Sequence, residues 1–323
     1  MKTNFGNMYN IIKGAKSAAI IGHISPDGDC IGSCVALRLA FLQMGKTADI
    51  FIDDEIPETF SYMKDFDKVY GKDYISGNAW KKYDLLVMLD TSTDDDRIGR
   101  CAELRANAKK LLVVDHHENT SIKADVVVAN TGRGSVCSIL YEFFIENKIE
   151  ITAEIAAALY TGVATDTGCF VHATNAFTHE VAAALIDTGI DVDMINYENF
   201  KIYDRKIIPV LGFALKNMKF FVNGEVAVIY LPYAIVKKYD LSSDMWQFKK
   251  YASEASGVRV GIVLTEKQPG EFVVSMRSHR SENVAAVAES YGGGGHKRAA
   301  GCIIRGKYNK VLKELLVRVT KCL

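Results

Sequence analysis

The sequence predicts an α/β protein of two domains, a parallel sheet first and a smaller α/β unit second. Three observations predict it. The chain has 323 residues, and at roughly 150 residues per domain that is about two domains. Over its first 130 or so residues, short continuous apolar runs alternate with helical patterns, the mark of a parallel sheet covered on both faces. From Lys219 the style changes to paired strand-like runs around turn residues.

Element by element, Ser17–Ile24 (SAAIIGHI) reads as a buried strand and Ile31–Met44 as a helix. Ala48–Ile52, Leu85–Leu89, Leu111–Val114 and Val126–Ala129 read as further strands, with Ile98–Ala108 as an intervening helix. Helical stretches follow at Val136–Asn147, Ala153–Ala164 and His179–Asp187. A long amphipathic helix at about Met194–Lys216 reads as the link between domains. In KFFVNGEVAVIYLP, Asn223-Gly224 between two apolar runs is a hairpin signal. Val258–Leu264 and Glu271–Met276 pair around Gln268-Pro269-Gly270, and Val284–Ser290 and Lys310–Val319 read as helices. The domains are therefore expected at 1–192 and 218–323, with a helical linker at 193–217.

Composition narrows the class. Hydrophobic residues make up 49% and prolines number 5, which excludes a disordered chain. No charge-free apolar run reaches membrane-span length, and the N-terminus lacks a secretory pattern. Seven cysteines without a CxxC pair suit reduced cytosolic thiols rather than a disulfide framework. A soluble cytoplasmic protein is expected. The 39 basic and 39 acidic side chains cancel, yet residues 1–190 hold 18 basic and 26 acidic groups and residues 191–323 hold 21 and 13. An acidic half joined to a basic half hints at a division of labour.

Acidic and imidazole residues cluster where predicted strands end, the edge at which open α/β sheets bind ligands. His23-Ile-Ser-Pro-Asp27-Gly-Asp29 follows the first strand, Asp90 follows Leu85–Leu89, and Asp115-His116-His117 follows Leu111–Val114. Asp166, in ThrAspThrGly, ends a helix. Singly, each has a structural reading, as a turn or a helix cap. Together, three of the seven histidines and four aspartates on one edge form a set whose carboxylates repel unless a cation joins them. Imidazole and carboxylate without thiolate suit Mn²⁺ or a related octahedral metal, in numbers sufficient for two ions.

HisXXProAspXAsp, the lone Asp90, AspHisHis and ThrAspThrGly stand in the order seen in the DHH phosphoesterases. Ser275-Met-Arg277-Ser278 and Gly292-Gly-Gly-Gly-His296-Lys-Arg-Ala-Ala-Gly301 resemble the DHHA1 domain of nanoRNase/pAp-phosphatase-like enzymes. The resemblance spans about residues 20–305. It implies a DHH domain and a DHHA1 domain with a cleft between them, and Mn²⁺-dependent hydrolysis of short oligoribonucleotides and of 3′-phosphoadenosine 5′-phosphate (pAp) by an activated water. It implies one ion on His23, Asp27 and Asp90, and a second on Asp29, Asp90, His116 and Asp166. It further implies that Asp90, His116 and His117 are catalytic, that His117 faces substrate, and that Asp115 supports the histidines. Arg277, Ser278, His296 and the backbone of Gly293, Gly294 and Gly295 would hold phosphate. Such relatives suggest a homodimer without membrane attachment.

Other signals carry less. His179-Glu180 begins like a zinc-protease HExxH, but position 183 is Ala. The glycine run could be a connector. Cys30 and Cys34 read as packed thiols, His172 as a structural histidine, and Asp94-Asp95-Asp96 as a helix cap. Arg133 could meet a phosphate or be a solvated loop residue. Tyr251 and Tyr291 are core or stacking residues alike. The competing functions are a cyclic or linear dinucleotide phosphodiesterase, a RecJ-like exonuclease, a pyrophosphatase or exopolyphosphatase, and a non-catalytic nucleotide sensor.

Overall fold

The computed structural model describes residues 5–77, 80–92, 97–117, 122–171, 174–202, 204–241 and 246–323. It divides into two compact units, Met1–Ile202 and Tyr203–Leu323. Among the described residues no helix is long and apolar enough to cross a membrane.

In the first unit the elements run α1 (Phe5–Gly14), β1 (Ser17–Ile21), α2 (Gly28–Gln43), β2 (Thr47–Phe51), β3 (Val69–Tyr70), α3 (Lys72–Gly77), β4 (Tyr83–Leu89), β5 (Ala108–Asp115), β6 (Val126–Ala129), α4 (Val136–Glu146), α5 (Ala153–Asp166), α6 (Ala176–Ile186) and α7 (Val192–Phe200). The six described strands form one parallel sheet in the order β3-β2-β1-β4-β5-β6. The order reverses between β1 and β4, which opens a crevice beyond their carboxyl ends. Strand alternation explains why both faces are apolar. Ala18 and Ile20 join the core under α1, α2, α4 and α5, and Ala19 and Ile21 join a smaller core on the other face.

Two helix expectations are corrected. The stretch read as a helix at Ile98–Ala108 is a 3₁₀ segment, Gly99–Asn107. Its buried residues Ile98, Cys101 and Leu104 recur every three residues, which puts them on one edge of a 3₁₀ turn. The single helix expected at Met194–Lys216 is two, α7 and α8 (Ile207–Lys216). Pro209 explains the break. It lacks an N–H, and its ring would clash with the Arg205 carbonyl in a continuous helix, so it is tolerated only in a first turn. The boundary between the compact units follows Ile202, inside that span.

After α8 the second unit continues with β7 (Lys219–Phe221), β8 (Val226–Leu231), α9 (Tyr233–Lys238), α10 (Trp246–Ser253), β9 (Val260–Gln268), β10 (Glu271–Ser278), α11 (Val284–Glu289), β11 (Gly294–His296), β12 (Ala299–Arg305) and α12 (Tyr308–Thr320). Its sheet order is β11-β12-β10-β9-β8-β7. β8 and β9 are parallel and the other neighbours antiparallel. Val260, Ile262 and Leu264 pack one face with α11 and α12, and Val263 packs the other with α8 and α10. The glycine run is sheet, not connector: β11 pairs with β12 from Gly294 opposite Gly301 to His296 opposite Ala299.

Candidate metal centre

The loop after β1 brings two donors. His23 is 5% exposed, and its Nδ1 donates to the Ile24 carbonyl at 2.8 Å. Nε2 turns inward, 3.2 Å from Asp90 Oδ2 and 3.9 Å from Asp27 Oδ1. Burial opposes its charged form, but the neighbouring anionic groups and the hydrogen bond to Asp90 win, raising it to about 10, so without a cation Nε2 donates to Asp90. Asp27 caps α2. Its Oδ1 accepts from the N–H groups of Asp29 and Cys30 at 3.1 and 3.0 Å, which explains why the helix begins at Gly28 rather than Ile31.

Asp29 lies in the first turn of α2 and is fully buried. Its oxygens accept from the N–H groups of Val136 and Cys137 at 2.6 and 2.9 Å. It thus answers unpaired donors at the start of α4, whose end is capped by Ser135 Oγ.

Asp90 follows β4 with a left-handed backbone, φ 58°, a conformation that Asp tolerates better than bulky residues. Its N–H donates to the Val114 carbonyl at 3.1 Å. His116 Nε2 lies 3.4 Å from Asp90 Oδ1 and 3.2 Å from Oδ2 of Asp166, the last residue of α5. Asp115, 1% exposed, turns away from this group. Its Oδ1 accepts from the N–H groups of His116 and His117 and from His117 Nδ1 at 2.7 Å.

Among the described residues three donor triads result: His23, Asp27 and Asp90; Asp29, His116 and Asp166; Asp90, His116 and His117. In each, the ligand atoms lie within 4.8 Å of one another. Asp90 Oδ1 and Asp166 Oδ2 are buried without a hydrogen-bond partner, a state that costs free energy unless a cation or proton meets them.

Protonation tells the same story. Burial, with the charge of Asp90, pushes the Asp29 carboxyl up to about 7. Burial, with the charge of Asp29, pushes Asp166 up to about 9. Burial opposes the charged form of His116, but the nearby carboxylate of Asp90 and the charges of Asp29 and Asp166 win, raising it to about 10. Asp90 is itself buried, yet the imidazole of His116 beside it and the hydrogen bond of His23 hold its carboxyl well below the usual range. Without a cation the cluster relieves its repulsion by holding protons. The donor set, carboxylate and imidazole with no cysteine in any triad, fits a hard or borderline divalent ion.

The phosphate candidates of the second unit end β10 and fill β11. Arg277 is half-buried. Its guanidinium donates to the Met276 carbonyl at 2.9 Å, and burial lowers its pKa. Among the described residues no carboxylate pairs with it. Ser278 is buried, and its hydroxyl donates to the Glu282 carbonyl at 2.9 Å, so its hydrogen is committed within the fold. The glycines have packing reasons of their own. A Cβ on Gly293 would lie 2.2 Å from the Gly301 carbonyl oxygen, and Gly295 has φ 136°. Gly293 N–H is bonded to the Ala288 carbonyl, while Gly294 faces open space. The His296 side chain, His172 and Asp94–Asp96 lie outside the described residues.

Several residues near the centre carry no sequence signal or a misleading one. Thr91 and Ser92 are buried beside Asp90. Gly162, mid-helix in α5, leaves room for Asp29 and Cys137; its only signal is a glycine where helices disfavour one. Arg133 pairs with Glu142 at 2.8 Å and lies 3.6 Å from the Phe177 ring centroid. Cys30 and Cys34 are buried. His179 bonds Thr174 and stacks on Phe170, and Tyr251 and Tyr291 pack against the cores.

The description of the DHH family, N-terminal domain, matches residues 17–163, and that of the DHHA1 domain matches residues 223–323. The chain is 25% identical over 293 residues to the bifunctional oligoribonuclease and PAP phosphatase NrnA of Bacillus subtilis, covering 87% of each. It superposes on the crystal structure of an exopolyphosphatase-related protein from Bacteroides fragilis with a TM-score of 0.88 at 22% identity, covering 98% of this chain and 95% of that one. The exonuclease RecJ bound to manganese shares the fold more distantly, with a TM-score of 0.51 at 14% identity over 99% of this chain and 94% of that one.

Proposed function

The chain belongs to the DHH/DHHA1 phosphoesterases, and on that premise we propose that it is a Mn²⁺-dependent hydrolase of short oligoribonucleotides and of pAp. One observation carries the reading: at the carboxyl edge of the parallel sheet the triad of Asp90, His116 and His117 shares Asp90 with one neighbouring donor triad and His116 with the other. We assign His23, Asp27 and Asp90 to one ion, and Asp29, Asp90, His116 and Asp166 to the other. A bound pair of such ions supplies positive charge for the phosphoryl oxygens and makes water acidic enough to attack phosphorus near neutral pH.

The chain's own groups do the rest. Asp90 bridges the two donor sets and fixes their separation. Asp115 holds the Nδ1 proton of His117, which leaves Nε2 to face substrate and, in the imidazolium form, to donate to the phosphoryl or leaving oxygen. Val136 and Cys137 orient Asp29 through their backbone N–H groups. In the second unit Arg277, its charge unpaired within the described protein, binds substrate phosphate together with His296 and the exposed backbone of Gly294. The bifunctional name of the Bacillus subtilis relative supports this pair of substrates over pyrophosphate.

The test offers the purified protein pAp, a diribonucleotide, a 24-mer RNA and pyrophosphate in parallel, with and without Mn²⁺, beside Asp90→Ala. Turnover of pAp and the dinucleotide that requires Mn²⁺ and Asp90 is expected. Preference for the 24-mer or pyrophosphate would overturn the substrate assignment, and binding without turnover of any would mark a nucleotide sensor.

A further inference from the structure

Beyond Arg277, the described charges continue along one edge of the second unit. β10 ends at Ser278, and the chain turns through 279–283 into α11. The tip between β11 and β12 carries Lys297 and Arg298. Two backbone hydrogen bonds tie turn and tip into one surface: Ser278 N–H to the Arg298 carbonyl at 3.0 Å, and Val284 N–H to the Lys297 carbonyl at 2.9 Å.

That surface is cationic and unneutralised. Arg280, Lys297 and Arg298 are exposed, and none has a carboxylate within ion-pair distance among the described residues. The acids of residues 277–298 are Glu282 and Glu289. Glu282 is 1% exposed and paired to Arg259 Nε at 2.8 Å. Glu289 ends α11, about 7.5 Å along the helix axis from its start. The Arg259–Glu282 pair also braces the turn, because the Glu282 carbonyl takes the Ser278 hydroxyl. Three cations thus follow Arg277 on a braced scaffold, and none of them is ion-paired among the described residues.

We infer that Arg280, Lys297 and Arg298 form a rim that engages the internucleotide phosphates of an oligoribonucleotide beyond the phosphate held at Arg277. The inference rests on the proposed function and deepens it. The rim makes the enzyme prefer oligomers of a few nucleotides over a mononucleotide, since an oligomer carries internucleotide phosphates and pAp has none. The three rim side chains are guanidinium and ammonium, the groups that pair with phosphates; the exposed imidazole of His279 stands in the same turn.

The experiment compares pAp and a pentaribonucleotide on the full chain and on the Lys297→Gln/Arg298→Gln double variant, with Mn²⁺. The pentamer KM should rise roughly five- to tenfold more than the pAp KM, the size of two exposed ion pairs. The slope of log KM against log salt for the pentamer should fall by about 1.4, from two lost single-strand phosphate contacts. Lys297→Arg/Arg298→Lys should restore both. Equal effects on the two substrates, or none, with pAp hydrolysis intact, would overturn the rim alone. A wild-type chain that hydrolyses neither substrate would overturn the proposed function and the rim with it.

Discussion

Asp90 shows how one residue organises the centre. Its left-handed backbone turns the carboxylate across the sheet edge, where Oδ2 meets His23 and Oδ1 faces His116. Its neighbours carry a pH signature. In the cation-free protein Asp29 and Asp166 keep protons up to about 7 and about 9, and His116 up to about 10. An unfolded chain releases the same protons near pH 4 for carboxyls and near 6.5 for imidazole. Across pH 5 to 9 the folded state therefore binds more protons than the unfolded state, so stability falls as pH rises. Asp90, shifted the other way, titrates below that window. Bound divalent ions replace those protons. The Tm of chelator-treated protein should fall from pH 6 to 9 while that of Mn²⁺-loaded protein changes less. Parallel curves would show that the cluster does not hold metal.

At the scale of elements, the contact between α2 and α5 decides whether Asp29 and Asp166 meet. Gly32 on α2 and Gly162 on α5 let the helices approach. A Cβ on Gly32 would sit 2.3 Å from the Ala158 carbonyl oxygen, and one on Gly162 would sit 2.3 Å from Cys137 Sγ and 2.6 Å from Asp29 Oδ1. Alanine is the better helix former by ~1 kcal/mol, but the overpacked methyl costs ~1–3 kcal/mol. Gly162→Ala should lower the denaturation midpoint and weaken Mn²⁺ binding, measured by urea titration and calorimetry; stabilisation would mean the helices have room to part. Most elements were legible in periodicity: the strands after which the donors fall were read within a few residues of their bounds. The exceptions have physical reasons. The three-residue spacing of Ile98, Cys101 and Leu104 reads as helix unless the tighter turn is considered. Pro209 broke the long helix. β12 hides in AAGCIIR, where small residues dilute the alternation, and β11 is three residues long in a glycine run that passes for a connector.

For the whole molecule, the boundary after Ile202 sharpens the charge split. The first unit holds 19 basic and 29 acidic side chains, and the second 20 and 10. Neutrality overall is the sum of −10 and +10. Each unit has its own cores, so unfolding need not be two-state. Calorimetry should resolve two transitions. Mn²⁺ at a hundred times its Kd should stabilise one of them by about 2.7 kcal/mol and leave the other within error; an equal shift of both would mean that the ion is not confined to the first unit.

The sequence by itself determined the chemistry on offer: which residues end strands, that they are carboxylates and imidazoles without thiolate, and that a basic half follows an acidic one. These are local facts, written in residue type and period. Only the tertiary structure decided how the donors combine. The reversal of strand order between β1 and β4 brings residues 23, 27 and 90 together, α4 captures Asp29, and Asp115 turns from the cluster to hold His117. It also spent the Ser278 hydroxyl and the Gly293 N–H inside the fold, and left Arg277 and the rim cations unneutralised. Such choices depend on distances between segments far apart in the chain, and periodicity along a chain carries no measure of those distances.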